Sequence, residues 1–585
     1  MTPAPAPARE KAGYNRFLLL VAGLGGLLYG IDVGIIASAL PYLEATSHFT
    51  RGQLSFVVAA VLLGSVISTL FAGLLADMMG RRALMAASGV LFVASIPMIA
   101  LSHGFASLVL GRILQGISGG LIGVVVPLYL AECLGASSRG TGTGIFQWLL
   151  TLGIVAAALI GIYFSARVEE VARLGDAATL IHFKDTAWRS IFWVSLPPGI
   201  LFCVGSLLVA ESPRWLHRRG RRDDARASLL RSRSPEAAEV EMAEMDAAGA
   251  GPRAREGAQG TLLRRRYVIP FLLACVILAC NQATGVNSII GYSTNISLQA
   301  GLSDLQAHWS YVILTVVNFL MTIVGVVLVD RKGRKFLLSA GTAGIIVSLV
   351  AVGFSFRATE RLRVDCRQAV AAGVRADQTL DLRFDRAEAE RLLGRDAGPS
   401  TLVVIYSYGD FRAASNVVRS DDPDGGRVAL SRDSCLPDTR VAAFFTNPFA
   451  DLAAARTAPL RVEHALVCPV PSQAHGWLTA FFTYCFMASF AAGPGVCVWL
   501  ALSELMPTRI RSNGMSIALL VNQAVSTCIA ATFLPAVGRY GYAAAFFSFA
   551  ACTVVYFVTA VFFLPETKGK TLEEIELMFH RPEAG

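Results

Sequence analysis

Long apolar runs alternate with short polar segments along most of the chain. About twelve of these runs are near 20 residues long, the length that an α-helix needs to cross the hydrocarbon core of a bilayer. They lie at roughly 17–40, 54–76, 83–102, 106–131, 140–164, 188–210, 267–298, 309–330, 336–357, 477–505, 511–537 and 541–564. The pattern predicts twelve transmembrane helices in two groups of six, separated by a polar stretch at 211–266.

The composition favours a membrane protein over a series of soluble domains. Of the 585 residues, 54% are hydrophobic and only 16% are charged, whereas a soluble protein is about 25% charged. We therefore interpret the excess of basic residues, a net charge of +9, as a guide to which loops lie on which side of the membrane. We expect no nucleic-acid partner. The eleven cysteines form no CxxC pair or Cys/His cluster, so neither a metal site nor a cofactor is expected.

The distribution of positive charge predicts the orientation. If both termini are cytoplasmic, the inner connections carry arginine and lysine, and the short outer loops at 103–105 and 299–308 carry none. We therefore expect a multi-pass protein of the inner or plasma membrane, with cytoplasmic tails at 1–16 and 565–585. The stretch at 211–266 is expected to be a cytoplasmic linker with short helices.

Three motifs recur in the same order in the two halves of the chain. They are a GRR or GRK loop, a glutamate seven residues before an arginine, and a closing glutamate motif. The copies are DMMGRR at Arg81 and DRKGRK at Arg334, AECLGASSRG from Glu132 to Arg139 and SELMPTRIRS from Glu504 to Arg511, and ESPR at Glu211 and PETKG at Glu566. Three matches in one order indicate duplicated six-helix halves, at 17–210 and 267–564.

The repeat also locates an insertion in the second half. Arg81 and Glu132 are 51 positions apart, but Arg334 and Glu504 are 170 apart, so about 119 extra residues separate the ninth and tenth helices. This polar insert, at 358–476, is expected outside the cytoplasm.

The fold of the insert stays open between a small cap and a disordered loop. TLVVIYSYGDF and RVAAFFTNPF are candidate strands or amphipathic segments. One disulfide is expected on the oxidising side of the membrane, with the pair left open among Cys366, Cys435 and Cys468.

Further motifs accompany the repeat, namely GRILQG, PLYLAE, ESPRWL, GVNSIIGYS, LSELMP and PETKG. In this combination the chain resembles the sugar porter family of the major facilitator superfamily, which includes bacterial proton–xylose symporters and animal facilitative glucose transporters. The resemblance covers nearly the whole chain except the tail and the insert. It implies an all-α membrane protein with twelve transmembrane helices in two pseudo-symmetric six-helix bundles, and a transporter that is not an enzyme.

Two isolated charges stand inside apolar runs of the first half. Asp32, in GLLYGIDVGIIASAL, is the one charge of its run, and Arg112 is the one charge of the fourth. A charge at mid-bilayer costs about 3 kcal/mol or more, so mutual pairing best explains both. The resemblance implies proton coupling, because proton-coupled members carry an aspartate and an arginine at these positions. A static structural pair is the alternative.

Sugar recognition needs neutral donors and acceptors and an apolar surface for the ring. The apolar runs contain several amides, each of which also suits a hydrogen bond between helices. The resemblance implies that they line the sugar site together with two aromatic residues. The expected substrate-binding residues are Tyr29, Gln147, Asn281, Gln282, Asn287, Asn318, Trp499 and Asn522.

Three positions depart from the family pattern. Asn281–Gln282 stands where two glutamines are usual, Gln523 replaces a tryptophan, and Gly291–Tyr292 replaces a tyrosine pair. Together they predict a site that is more polar or roomier than that of a glucose transporter, and they leave the sugar open.

Charged residues at the cytoplasmic helix ends form a second set. In the family, such residues tie the two bundles together when the outside is open. The expected cytoplasmic gate is Arg81, Glu132, Arg139, Glu211, Arg334, Glu504 and Arg511. Ordinary positive-inside charges without a gating role are the alternative, and they fit the spaced Glu/Arg pairs poorly.

These features predict a proton-coupled symporter for a hexose or pentose, working by alternating access as a monomer. Its partners are the sugar, the proton and the lipid bilayer. A facilitative uniporter for a sugar or an inositol-like polyol is the alternative within the same fold. A non-transporting sugar sensor is less expected, because such proteins usually need a long cytoplasmic tail.

Overall fold

The structure, a computed structural model, describes most of the chain. It covers residues 12–47, 49–134, 139–173, 176–250, 265–421, 426–437, 443, 447, 450–497 and 511–566. Within this part, 12 helices are long and apolar enough to cross a membrane, as the hydrophobic pattern predicts.

Seven helices form the six spans of the first half. They are α1 (Ala12–Thr46), α2 (Arg51–Met79), α3 (Arg81–Ala100), α4 (Phe105–Cys133), α5 (Arg139–Ala172), α6 (Ala177–Trp193) and α7 (Leu196–Leu208). The sixth span begins earlier than its hydropathy predicts, because Asp176 caps an amphipathic first segment by accepting the N–H of Ala178. It breaks before α7, because Pro197 has no N–H with which to continue the helical hydrogen bonds.

The linker, the second half and the insert contain the remaining helices. In the linker lie α8 (Pro213–Arg218), α9 (Arg222–Ser232) and α10 (Pro235–Ala250). The second half begins with α11 (Arg265–Ala283), α12 (Val286–Gly291), α13 (Ser293–Gln299), α14 (Asp304–Lys332) and α15 (Arg334–Glu360). The insert contains α16 (Arg367–Ala371), α17 (Arg386–Leu393) and α18 (Leu452–Thr457). The bundle then resumes with α19 (Gln473–Ala492), α20 (Arg511–Tyr540) and α21 (Tyr542–Val558), followed by a π-helical turn, Thr559–Phe563.

The end of the bundle that carries α8–α10 is here called the linker end. Two turns with the same conformation show the internal repeat at this end. Gly80 and Gly333 join successive helices with φ of 93° and 90°, a region that favours glycine. Each following helix is capped by the closing glutamate of its own half. Glu211 accepts the first N–H of α3 at 2.9 Å, and Glu566 accepts the first N–H of α15 at 3.2 Å. This shared role explains why the closing glutamate motifs recur.

The two halves are joined toward the opposite end, here called the insert end. The described hydrogen bonds between them link Gly34 with Tyr311, Ser38 with His308, Tyr42 and Ser165 with Asp304, Glu44 with Asn295, Ser55 with Tyr292 and Leu534, and Ser65 with Gln523. One apolar cluster draws residues from both halves at this end. At the linker end each half has its own cluster, around Phe202 and around Tyr556. The bundle is therefore closed at the insert end.

The insert folds as a small β-rich unit. Its strands are β1 (Val364–Asp365), β2 (Leu380–Phe384), β3 (Ser400–Tyr408), β4 (Phe411–Ala414), β5 (Val418–Arg419), β6 (Gly426–Leu430) and β7 (Leu460–Pro469). All pairs are antiparallel, in the order β1-β7-β3-β4, with β5 also on β3 and a separate pair β2-β6. The candidate TLVVIYSYGDF supplies β3 and the start of β4, whereas RVAAFFTNPF lies largely outside the described residues.

The expected disulfide in the insert is wrong, because Cys366, Cys435 and Cys468 are free thiols. Cys366 follows β1, and Cys468 lies on the paired strand β7. The register of the two strands places Cys366 opposite Ala465, three residues along β7 from Cys468, so the two thiols do not meet. Their thiols donate instead to carbonyl oxygens: Cys366 to Leu392 at 3.3 Å, Cys435 to Phe411 at 3.3 Å and Cys468 to Thr359 at 3.4 Å. Burial raises the pKa of the Cys435 thiol to about 11, so it stays protonated and unreactive at neutral pH.

Candidate functional site

Asp32 and Arg112, the two isolated membrane charges, face each other between α1 and α4. Both side chains are 1% exposed, and Oδ1 of Asp32 lies 3.6 Å from Nη1 of Arg112. Neither carboxylate oxygen of Asp32 accepts a hydrogen bond from a described residue. The structure thus brings the predicted partners together as a weakly held pair, whose energy changes with small movements of either helix.

Gln115, which is not among the residues predicted from the sequence, completes this pair. Its Oε1 accepts a 2.6 Å hydrogen bond from Nη1 of Arg112, and it is fully buried. The guanidinium of Arg112 also lies over the ring of Phe192, with its carbon 5.5 Å from the ring centre. The signal in the sequence was the i, i+3 spacing of Arg112 and Gln115 in GRILQG, which places both on one face of α4.

A glycine on α4 allows α1 to approach the pair closely. A Cβ at Gly119 would lie 3.1 Å from Oδ2 of Asp32 and 3.2 Å from the ring of Tyr29. Tyr29 and Asp32 therefore occupy the same face of α1, and the expected aromatic residue lies next to the charge pair.

In the second half, a break in the seventh span shapes the amide site. Gly285 lies between α11 and α12 with φ of 81°, and a Cβ there would lie 2.5 Å from the ring of Phe549. A side chain at this position meets both backbone strain and a steric clash. The break turns the amides on its two sides, Gln282 and Asn287, toward each other.

Gln282, Asn287 and Asn522 form one hydrogen-bonded cluster. Nδ2 of Asn287 donates to Oε1 of Gln282 at 3.0 Å and to Oγ of Ser526 at 2.7 Å, and Nε2 of Gln282 donates to Oδ1 of Asn522 at 3.1 Å. Asn522 is itself held by the carbonyl of Leu278 at 2.9 Å. Among the described residues, Oδ1 of Asn287 and one N–H of Gln282 have no partner. An acceptor beside a donor suits a hydroxyl group, which does both.

The other expected sugar contacts are not joined to this cluster by any described hydrogen bond. Asn281 is buried, and its Oδ1 has no partner among the described residues. Gln147 and Asn318 are half-buried, and their amides make no hydrogen bond within the described part of the chain. Trp499 lies outside the described residues.

Gln523, one of the departures from the family pattern, connects the amide cluster to the first half. It follows Asn522 on α20, and its Nε2 donates to Oγ of Ser65 on α2 at 3.4 Å. The amide cluster and the Asp32–Arg112 pair therefore lie on opposite sides of the interface between the halves.

At the linker end, Arg81 and Glu132 form a buried ion pair with two contacts. Nε of Arg81 lies 2.8 Å from Oε2 of Glu132, and Nη2 donates to Oε1 at 3.0 Å. Arg81 is 2% exposed and also donates to Asp77 at 2.9 Å, while Glu132 accepts from Ser212 at 2.5 Å. All of these contacts lie within the first half and the linker that follows it, and none of them reaches the second half.

The rest of the expected gate is only partly described. Glu211 contacts its own half as the cap of α3, and Arg334 is half-buried at the start of α15. The side chains of Arg139 and Arg511, and Glu504 altogether, lie outside the described residues, so the spaced Glu/Arg pairs stay a prediction.

Replacing Glu132 with glutamine should destabilise the first half. Breaking a buried ion pair costs roughly 3–5 kcal/mol, and we expect the lower end because Arg81 keeps Asp77. The measurement is the apparent melting temperature of the purified protein in detergent. Glu170→Gln is the matched control, because its pair with Arg167 is exposed and worth at most about 1 kcal/mol. Equal melting temperatures for the two variants would contradict the structural role.

The chemistry available at the charge pair and the amide cluster is hydrogen bonding and ion pairing. Within the described ranges, no group of three or more His, Cys, Asp or Glu side chains is placed to hold a metal ion. The arrangement can bind a ligand rich in hydroxyl groups and can change the partner of one buried charge.

A family model described as "Sugar (and other) transporter" matches residues 18–371 and 455–579. The unmatched stretch between them falls inside the insert. The match therefore covers the helical bundle, including both the charge pair and the amide cluster.

Comparisons with individual proteins agree with this match. The chain is 27% identical to the "Proton myo-inositol cotransporter" of Homo sapiens, over 97% of this chain and 82% of that protein. It is 25% identical to the "Arabinose-proton symporter" of Escherichia coli (strain K12), over 98% and 95%. The partially occluded inward-open structure of the xylose transporter XylE from E. coli matches with a TM-score of 0.62 at 20% identity, covering 96% and 100%. A further XylE structure, described as a major facilitator superfamily protein, matches with a TM-score of 0.59 at 22% identity, covering 97% and 100%. The chain therefore belongs to the sugar transporter family, and it has the major facilitator fold of two six-helix halves.

Proposed function

We propose that this transporter is a proton-coupled symporter for a hexose or pentose. The observation that carries the proposal is the buried, loosely held Asp32–Arg112 pair beside a neutral second partner, Gln115. When Asp32 is charged, it attracts Arg112; when it is protonated, Arg112 keeps Gln115 alone. The names of the human and E. coli relatives both contain the word "proton", and this supports the assignment.

A short path links the pair to the contact between the halves. Asp32 lies two residues from Gly34, whose carbonyl oxygen accepts a 2.9 Å hydrogen bond from Tyr311 of the second half. A change of charge at Asp32 therefore acts within one turn of an interface that must separate when the insert end opens. This proximity supports coupling between protonation and alternating access.

The proposed orientation places both termini and the linker in the cytoplasm of the inner or plasma membrane, and the insert outside. In that orientation, the closed insert end makes this structure one that is sealed toward the outside. The gate residues at the linker end would meet when the halves close there. Arg81 and Glu132 would then present a preformed ion pair to the second half.

The amide cluster is the proposed sugar site, and the family resemblance adds Gln147, Trp499 and Tyr29 to it. The alternative is a facilitative uniporter for a sugar or an inositol-like polyol. The name of the human relative favours the polyol as a second substrate class, because inositol and pyranose sugars present similar rings of hydroxyl groups.

The experiment is uptake of labelled pentoses, hexoses and inositols by proteoliposomes, with and without an imposed pH gradient. We expect concentrative uptake of one substrate class, accompanied by acidification of the lumen. Uptake that only equilibrates the substrate, with no acidification, would establish the uniporter instead.

Replacing Gln282 or Asn287 with alanine should weaken sugar binding about fivefold or more while the protein stays folded. Each change removes a hydrogen bond worth roughly 1 kcal/mol and leaves its amide partner unpaired. The measurement is the equilibrium affinity for the transported sugar, with Gln368→Ala, an exposed amide on the insert, as the control. Unchanged affinity in both site variants would refute the assignment.

A further inference from the structure

A cavity of about 60 Å³ lies where the insert meets both halves of the bundle. The first half contributes Arg51, the second half contributes Phe356 and Tyr542, and the insert contributes Val403. A cavity of this size has room for several water molecules or for one small organic ligand. It is separate from the charge pair and from the amide cluster.

Arg51 is the chemically unusual residue of this cavity. It begins α2 and is only 5% exposed, yet within the described part of the chain its guanidinium has neither a hydrogen bond nor an ion pair. A Cβ at Gly538 would lie 2.7 Å from its Nη1, so the absence of a side chain there makes room for the guanidinium. Glu44 attracts this buried cation only from a distance, and a charge that lacks direct partners is costly to bury, so an anion in contact with the guanidinium would lower the free energy of this state.

Two further donors line the same cavity. The hydroxyl of Tyr542 and the amide of Gln299 make no hydrogen bond to a described residue. The ring of Tyr542 is fixed by stacking on Phe356, with 4.8 Å between ring centres. Guanidinium, phenol and amide groups together suit a ligand with acceptor oxygens.

The nearby acids limit the charge of such a ligand. Glu360 is occupied, since it accepts from Arg363 at 3.0 Å and from the N–H of Tyr542 at 2.7 Å. Glu44 accepts from Asn295 at 2.7 Å and attracts Arg51 electrostatically, without forming a direct ion pair with it. Because two carboxylates stand close by, a singly charged anion fits better than a multiply charged one. The walls formed by aromatic and aliphatic side chains favour an anion with an apolar body.

We propose that this cavity binds a small monocarboxylate, held by Arg51 and Tyr542. Arg51 belongs to the first half, Tyr542 belongs to the second, and the insert covers them both. A ligand bound between them ties the halves together at the insert end. The cavity is therefore a regulatory site at which a carboxylate holds this end of the transporter closed.

The binding test uses radiolabelled propionate and the purified full-length protein in equilibrium dialysis, with no pH gradient. We expect saturable binding that unlabelled propionate displaces more effectively than chloride or phosphate does. Arg51→Gln should weaken binding at least tenfold and Tyr542→Phe severalfold, whereas Arg367→Gln, an exposed arginine on the insert, should leave it unchanged. Absence of saturable binding, or equal affinity in Arg51→Gln, would overturn the proposal.

Gly538→Ala tests the same site without removing the charge. Its Cβ would displace the guanidinium, which is the mobile end of a flexible side chain, so the fold should survive. We expect propionate binding to fall at least tenfold while sugar affinity stays at its wild-type value. Wild-type propionate binding in this variant would contradict the placement of the ligand on Arg51.

The regulatory part is tested by sugar counterflow with equal propionate on both sides of the vesicle. Saturating propionate should slow counterflow in the wild type severalfold and leave Gly538→Ala unaffected. Equal slowing in both proteins, or none in the wild type, would overturn the closing role. Since counterflow needs no proton gradient, the result of this test does not depend on whether transport is coupled to protons.

Discussion

Replacing Asp32 with asparagine should abolish the accumulation of sugar under an imposed proton gradient, while sugar exchange by counterflow continues. Asparagine has nearly the size of protonated aspartate and cannot release a proton. Arg112 keeps Gln115 at 2.6 Å and the ring of Phe192, so the variant does not leave a bare buried cation. We therefore expect the fold and the sugar site to survive, while Arg112 no longer gains and loses Asp32 as a charged partner.

The measurement is accumulation in vesicles with an imposed pH gradient, beside counterflow without one. Asp223→Asn, an exposed linker acid, is the control and should behave as the wild type does. Wild-type accumulation in Asp32→Asn would make Asp32 a static partner of Arg112. Loss of both activities in a folded variant would mean that the charge is needed for movement itself.

Replacing Gly30 with alanine should greatly reduce the yield and thermal stability of the folded transporter. α1 and α5 cross with their backbones in contact, and a Cβ at Gly30 would lie 1.8 Å from the carbonyl oxygen of Leu150. Backbone atoms cannot turn aside as a flexible side chain can, so α5 must shift. We expect a cost of roughly 3 kcal/mol or more, the upper part of the range for an overpacked interior.

The control for this effect is Gly73→Ala, because a Cβ at that exposed position on α2 would meet no atom within 4 Å. Alanine there should be neutral or slightly stabilising, because it forms helix better than glycine by about 1 kcal/mol. Monodisperse protein and apparent melting temperature in detergent are the readouts. Similar values for Gly30→Ala and the wild type would show that α5 yields more easily than its packing implies.

The helical spans were predictable because a bilayer allows an apolar segment few structures. Backbone polar groups in lipid must be satisfied internally, so a run of about 20 apolar residues becomes a helix. Hydropathy alone does not reveal where such a helix breaks. The sixth span breaks ahead of Pro197, and the seventh breaks at Gly285, where the ring of Phe549 leaves no room for a side chain.

The candidate site was predictable in part. Asp32 and Arg112 stood out because an isolated charge is rare inside an apolar run, and that rarity also pointed to their pairing. Gln115 did not stand out, since a glutamine among apolar residues has many ordinary roles. Cysteine count suggested a disulfide, but the register of β1 and β7 holds Cys366 and Cys468 apart.

By itself, the sequence determined the twelve spans, the duplicated halves, the insertion and the residue types available for binding and charge exchange. Those properties follow from local hydropathy, spacing and repetition. Only the tertiary structure decided that Arg112 also holds Gln115, that the halves meet at the insert end, and that Arg51 faces a cavity beneath the insert. Each of these depends on the packing of segments from one helix turn to nearly 500 residues apart, and no local pattern encodes the distances that packing sets.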